Sequence, residues 1–181
     1  MRHAPCIVLL AWLAACESGS ARTGGGNLQV RWSGREPGRL SADATAGWCA
    51  PRHVLEVRSI QGDTGVALAF YPAETLTAGV YRVVEPTRAE SLPPAAAVAL
   101  RWLTPKVVQG FRGESGSIRL QRSSSGQVSG EMSLRARSVV DAERVTITGS
   151  FQGLTLQLQP SHCARPGARD EAPEPKDTSV H

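Results

Sequence analysis

The chain has 181 residues, of which 41% are hydrophobic, 20% charged and 5% aromatic; this excludes wholesale disorder and a bundle of membrane spans, and leaves one modest domain with short appendages. Lys+Arg 20 against Asp+Glu 16 gives a net charge of +4, carried almost wholly by arginine, because lysine occurs only at Lys106 and Lys176. Charge so mild and so scattered is no nucleic-acid signature.

Arg2 is followed by an apolar run from Ala4 to Ala15, broken only by Pro5 and closing in small residues, which reads as a secretory signal over residues 1–15. At ~1.5 Å rise per residue the run extends about 18 Å as a helix, short of the roughly 30 Å hydrocarbon core. A permanent transmembrane helix is therefore the weaker reading. The run ends Leu13-Ala14-Ala15-Cys16, which resembles the lipobox of bacterial lipoprotein signal peptides, where small residues precede an obligatory cysteine. The resemblance implies a diacylglyceryl thioether on Cys16, cleavage before it, and acylation of the new amino terminus. Two or three acyl chains anchor stably where one would be marginal. The implied partner is a membrane, and the implied location is the periplasmic face of an outer membrane. In a single-membrane cell it is the outer face of the cytoplasmic membrane. Glu17, where retained lipoproteins carry aspartate, favours the outer membrane. The competing reading is a secreted protein cleaved at the same small residues. Residues 16–27 are rich in Gly and Ser and form a tether with a root-mean-square reach of roughly 18 Å.

Cys6 leaves with the signal and Cys16 carries the lipid, so the folded part keeps Cys49 and Cys163. An even pair in an exported chain suggests a disulfide, clasping the final strand to an early loop. Two free buried thiols are the alternative. A zinc site is disfavoured, because neither CxxC nor paired histidine spacing accompanies the cysteines.

From residue 28 to 163 the dominant signal has period two. Leu28, Val30 and Trp32 alternate with Gln29, Arg31 and Ser33, and Met132, Leu134 and Ala136 alternate with Ser133, Arg135 and Arg137. Ile118–Leu120, Val145–Phe151 and Leu154–Leu158 repeat the pattern, and shorter strands are predicted at His53–Ile60, Val66–Tyr71, Gly79–Val84, Ala96–Leu103 and Val107–Phe111. Ser41 to Trp48 reads as a loop. Turns are expected at Gly62–Gly65, Pro93-Pro94, Gly113–Gly116, Ser123–Gly126 and Gly153. About nine or ten short strands imply an all-β domain, an antiparallel β-sandwich, with a small closed lipocalin-like barrel as the alternative. Residues 164–181, rich in Pro and charge, read as a disordered tail.

Candidate chemistry is thin. Asp63-Thr64-Gly65 resembles the active-site triplet of aspartic proteases over those three residues alone, and no second triplet exists to share its proton. Gly113-Glu114-Ser115-Gly116 resembles the nucleophile loop of chymotrypsin-like proteases, but neither His53 nor His162 stands in the setting those enzymes use for their base. Hairpin turns explain both motifs more simply. The two histidines lack carboxylates at metal-ligand spacing, and nothing requires a cofactor. Trp32 and Trp102 read as core, sharing faces with Val30 and Leu100. Trp48, Tyr71, Tyr81 and Arg101 are the candidates for a ligand-binding face. Arg31, Arg58, Arg101, Arg119, Arg135 and Arg137 fall on expected solvent faces, where a sheet could gather them toward anionic lipid, glycan or phosphate. Dispersed solubilising charge is the plainer explanation. The expected function is a non-catalytic binding or structural module at the cell envelope, binding an unknown protein, glycan or lipid. A carrier of an apolar ligand and a small exported hydrolase are the alternatives.

Overall fold

A computed structural model describes residues 26–104 and 107–158. The all-β expectation holds. Nine strands follow one another: β1 (Gly26–Ser33), β2 (Gly38–Cys49), β3 (Val54–Gln61), β4 (Thr64–Tyr71), β5 (Gly79–Val83), β6 (Ala95–Leu103), β7 (Val108–Arg122), β8 (Gln127–Ser138) and β9 (Arg144–Leu158). A 3-10 turn at Ala50–Arg52 and a short helix α1 at Pro86–Ala89 are the only helical pieces among the described residues.

The strands are hydrogen-bonded edge to edge in the order β1-β2-β3-β4-β6-β5-β7-β8-β9, and the ring closes because β1 pairs antiparallel with both β2 and β9. Period two turns alternate residues inward, so Leu28, Val30 and Trp32 are buried while Gln29, Arg31 and Ser33 face water. The expected solvent-facing arginines 31, 58, 101, 119, 135 and 137 are all exposed. An outer wall carrying so many guanidinium groups is the reverse of the apolar band of strands that cross a bilayer.

Three expectations fail, each for a physical reason. Ser41 to Trp48 is not a loop: it lies within β2, where Leu40, Ala44 and Ala46 are buried and Ser41, Asp43 and Thr45 are not. The alternation was present, but alanine carries too little apolar surface to announce it. Gly113–Gly116 is not a turn. It lies inside β7, where a bulge sets Gly113 opposite Ala136 and Ser115 opposite Arg135, leaving Glu114 unpaired, and Gly116 takes a φ of 119° open to glycine. Gly153 likewise sits inside β9, beside a register shift between Val128 and Gly130 of β8.

The interior is filled by two aromatic groups. Toward the end that gathers Gly26, Cys49 and Leu158, Phe70 meets Tyr81 edge-on at 5.3 Å and Phe151 at 6.1 Å between ring centroids. Toward the end that gathers the β1–β2, β3–β4, β6–β7 and β8–β9 connections, Trp102 stacks between Trp32 at 5.1 Å and Phe111 at 4.9 Å. Gly38 stands opposite Trp32 in the β1–β2 register, and a Cβ there would overlap the indole; the glycine is the space the ring occupies. Both indoles are satisfied by Glu36 in the β1–β2 hairpin: Trp32 Nε1 donates to its backbone carbonyl at 3.0 Å and Trp102 Nε1 to its carboxylate at 3.2 Å.

Candidate functional site

The residues proposed from sequence do not converge. Tyr81 turns inward: it is among the largest fully buried side chains, and its hydroxyl donates to the Thr77 carbonyl at 3.0 Å, so it serves the core rather than a binding face. Tyr71 points outward beneath the segment bearing α1, against a small cluster of Ala89, Ala95 and Ala97. That burial raises its pKa above the ordinary phenol value, partly offset by nearby Arg52. Arg101 lies on the outer wall across Gly65 of the neighbouring strand. Trp48 stands at the opposite end of the ring, edge-on to His53 at 6.3 Å.

Trp48 and His53 line an open groove of about 450 Å³ with Leu76, Arg122, Leu156 and Leu158. Its floor is the connection 72–78, whose carbonyls are held from three sides. Arg122 Nη1 donates to Leu76 O at 2.9 Å, Tyr81 to Thr77 O, and His53 Nδ1 lies 3.2 Å from Glu74 O. His53 itself adopts a left-handed conformation, φ 50°, closing the 3-10 turn through its amide to Ala50 O. Cys49 is fully buried beside this groove. Cys16, His162 and Cys163 lie outside the described residues.

His53, at this end, is separated by the length of the ring from Asp63 in the β3–β4 hairpin. Ser115 is an exposed residue on the wall of β7. The three groups from which a hydrolase would be assembled thus occupy three different places. No group of three His, Cys, Asp or Glu side chains that could hold a metal occurs among the described residues.

Nothing in the residue pattern announces the bulge pair. Because Glu114 is the unpaired residue of the β7 bulge, its carboxylate swings outward and accepts two hydrogen bonds from Arg144 on β9, Nε at 2.9 Å and a terminal nitrogen at 3.2 Å. These bonds, with the positive charge of Arg144, Arg137 and Arg135, hold the Glu114 carboxyl below its ordinary pKa and raise that of Arg144. A depressed carboxylate contributes its pairing above the ordinary value and loses it as pH falls through the depressed one. Carbonyl NMR of Glu114 should therefore titrate low, and Arg144→Gln should return it to the ordinary range; an unchanged midpoint in that variant would remove the pairing as cause.

No family model, curated protein or solved structure matches this chain.

Proposed function

We propose that the chain is an exported, lipid-anchored envelope protein whose β-domain works by binding or scaffolding rather than by catalysis. The separation of His53, Asp63 and Ser115 carries the second half of that reading: these three lie on different parts of the ring, too far apart to act as one nucleophile–base set. The first half rests on Leu13-Ala14-Ala15-Cys16. In this reading the head is a small closed barrel rather than two stacked sheets, supported by unbroken pairing from β1 round to β9. Aromatic side chains fill its interior, which weighs against an apolar ligand carried inside.

The same reading joins Cys49 to Cys163. β2 and β9 run parallel with Trp48 opposite Leu158, where the start of β1 leaves them in contact, so Cys49 is one residue past the last pair. Cys163 follows Leu158 by five positions, a span the chain can cross back to the cysteine.

The anchor is tested by Cys16→Ser. Loss of radiolabelled fatty-acid incorporation and of membrane fractionation is expected. Continued labelling of the variant would place the acyl group elsewhere and defeat the reading.

A further inference from the structure

The outer wall near the end that carries the hairpins is ordered in rows, which the register makes explicit. One row crosses six strands as Arg58, Ala67, Ala99, Arg112, Arg137 and Arg144, each directly opposite the next. The next row toward the rim runs Ile60, Gly65, Arg101 and Gly110, and Val139 continues it through its amide to Gly110 O at 2.9 Å. Nearer the rim still, Leu103 faces Val108. Residues on one face of a strand are two apart, so successive rows lie about 7 Å from one another.

Apolar side chains crowd the rim and stand in water: Val140 is 68% exposed, Ile60 64%, Val108 52%, Val139 50% and Leu103 48%. Arginines directly opposite one another repel unless an anion lies between them. Arg58 and Arg144 have carboxylate partners in Glu56 and Glu114, but Arg101, Arg112 and Arg137 form no ion pair or hydrogen bond with another described residue. Arg112 and Arg137 line a groove of about 470 Å³ that runs up to Val139 and Val140. Its acidic residues are Glu85, Glu114 and Asp141; Glu114 is held by Arg144, and Asp141 accepts the Glu143 amide at 2.9 Å.

We propose that this part of the wall docks on an anionic bilayer, with Val108, Val139 and Val140 entering the acyl boundary while Arg112 and Arg137 meet the lipid phosphates and Arg101, one row nearer the rim, reaches back to them along its own alkyl stem. The spacing fits: an interfacial apolar face sinks roughly 5–10 Å past the headgroups, and the row of Val139 lies about 7 Å beyond that of Arg112 and Arg137, with Val108 one row further out. The residue types also fit lipid better than protein. Protein interfaces are enriched in aromatic anchors at their centre, whereas the exposed hydrophobics of this rim are aliphatic throughout and Trp32, Trp102 and Phe111 are turned into the core. The surface is independent of the acyl anchor, and its test removes that anchor.

The mature chain from residue 16 onward, carrying Cys16→Ser, is mixed with vesicles of phosphatidylcholine alone or of phosphatidylcholine with phosphatidylglycerol, and the bound fraction is read by sedimentation. Binding is expected on the anionic vesicles, falling with added salt, and about thirtyfold weaker when Arg112→Gln and Arg137→Gln are combined. Val139→Asp with Val140→Asp should remove it, with circular dichroism unchanged. Val140→Trp should add a blue-shifted component to the emission of vesicle-bound protein relative to the parent. Equal binding to both vesicles, undiminished binding of the arginine variant, or a water-like emission at position 140 each overturns the proposal. Sedimentation with neither vesicle does so as well, and leaves an acidic protein face as the counterpart of the arginines.

Discussion

Trp102→Ala is expected to destabilise the domain by about 3–5 kcal/mol, seen as a large fall in the urea midpoint with little change in slope. The indole lies between Trp32 and Phe111, its plane nearly parallel to that of the latter at 9°, and Trp32, itself seated against Gly38, is held from closing over the space it leaves. Trp102→Phe separates the contributions. It keeps an aromatic face in the stack, removes the hydrogen bond to Glu36, about 1 kcal/mol, and leaves a smaller void where the second ring was, so its loss should fall between that figure and the alanine value. Equal losses in the two variants would mean that the carboxylate contact, and not the stack, holds this end together.

Reduction of the proposed Cys49–Cys163 bridge is the second large effect. The bridge closes a loop spanning most of the domain, for which the chain-entropy description gives about 4 to 5 kcal/mol as an upper figure. The thermal midpoint of the native protein should fall on reduction, and Cys49→Ser combined with Cys163→Ser should match the reduced protein. Were the unreduced native chain to show both sulfurs reacting as thiols, the bridge would be gone from the account. Buried Cys49 also lies next to Trp48, so the bridged and reduced forms should differ in tryptophan emission.

The parts of this fold legible in the sequence are those where alternation is carried by large side chains. Leu28, Val30 and Trp32 in β1 and Met132, Leu134 and Ala136 in β8 announce both a strand and its buried face. β2 was hidden because its inward row past Leu40 is Ala44 and Ala46, whose side chains bury well against the larger groups of other strands but weigh little in a hydrophobic pattern. β7 and β9 were broken in two by glycines that belong to bulges. Glycine chemistry does not distinguish a reversal of direction from one extra residue in a continuing strand; only the partner strand decides that. The arginine row was out of reach for a related reason. Arg58 and Arg137 are readable as solvent-facing, but that Arg112, Arg137 and Arg144 stand side by side depends on hairpin lengths and on the bulge at Glu114, which set the register three strands deep.

Gly26 and Leu158, where the described chain begins and stops, sit at one pole, and the hairpins 34–37, 62–63 and 139–143 at the other. A strand such as β8, with 12 residues, is about 40 Å long and stands about 30 Å high when tilted as ring strands are. The ten residues from Glu17 to Gly26 stretch to about 35 Å at most. With the proposed anchor at Cys16, a leash and a body of such similar length bring two contrasting postures within reach. Upright, such an anchored head would offer its hairpin pole to whatever faces the leaflet; reclined on its side, it would lay the arginine wall against that same leaflet, so posture would decide which of two surfaces the protein serves.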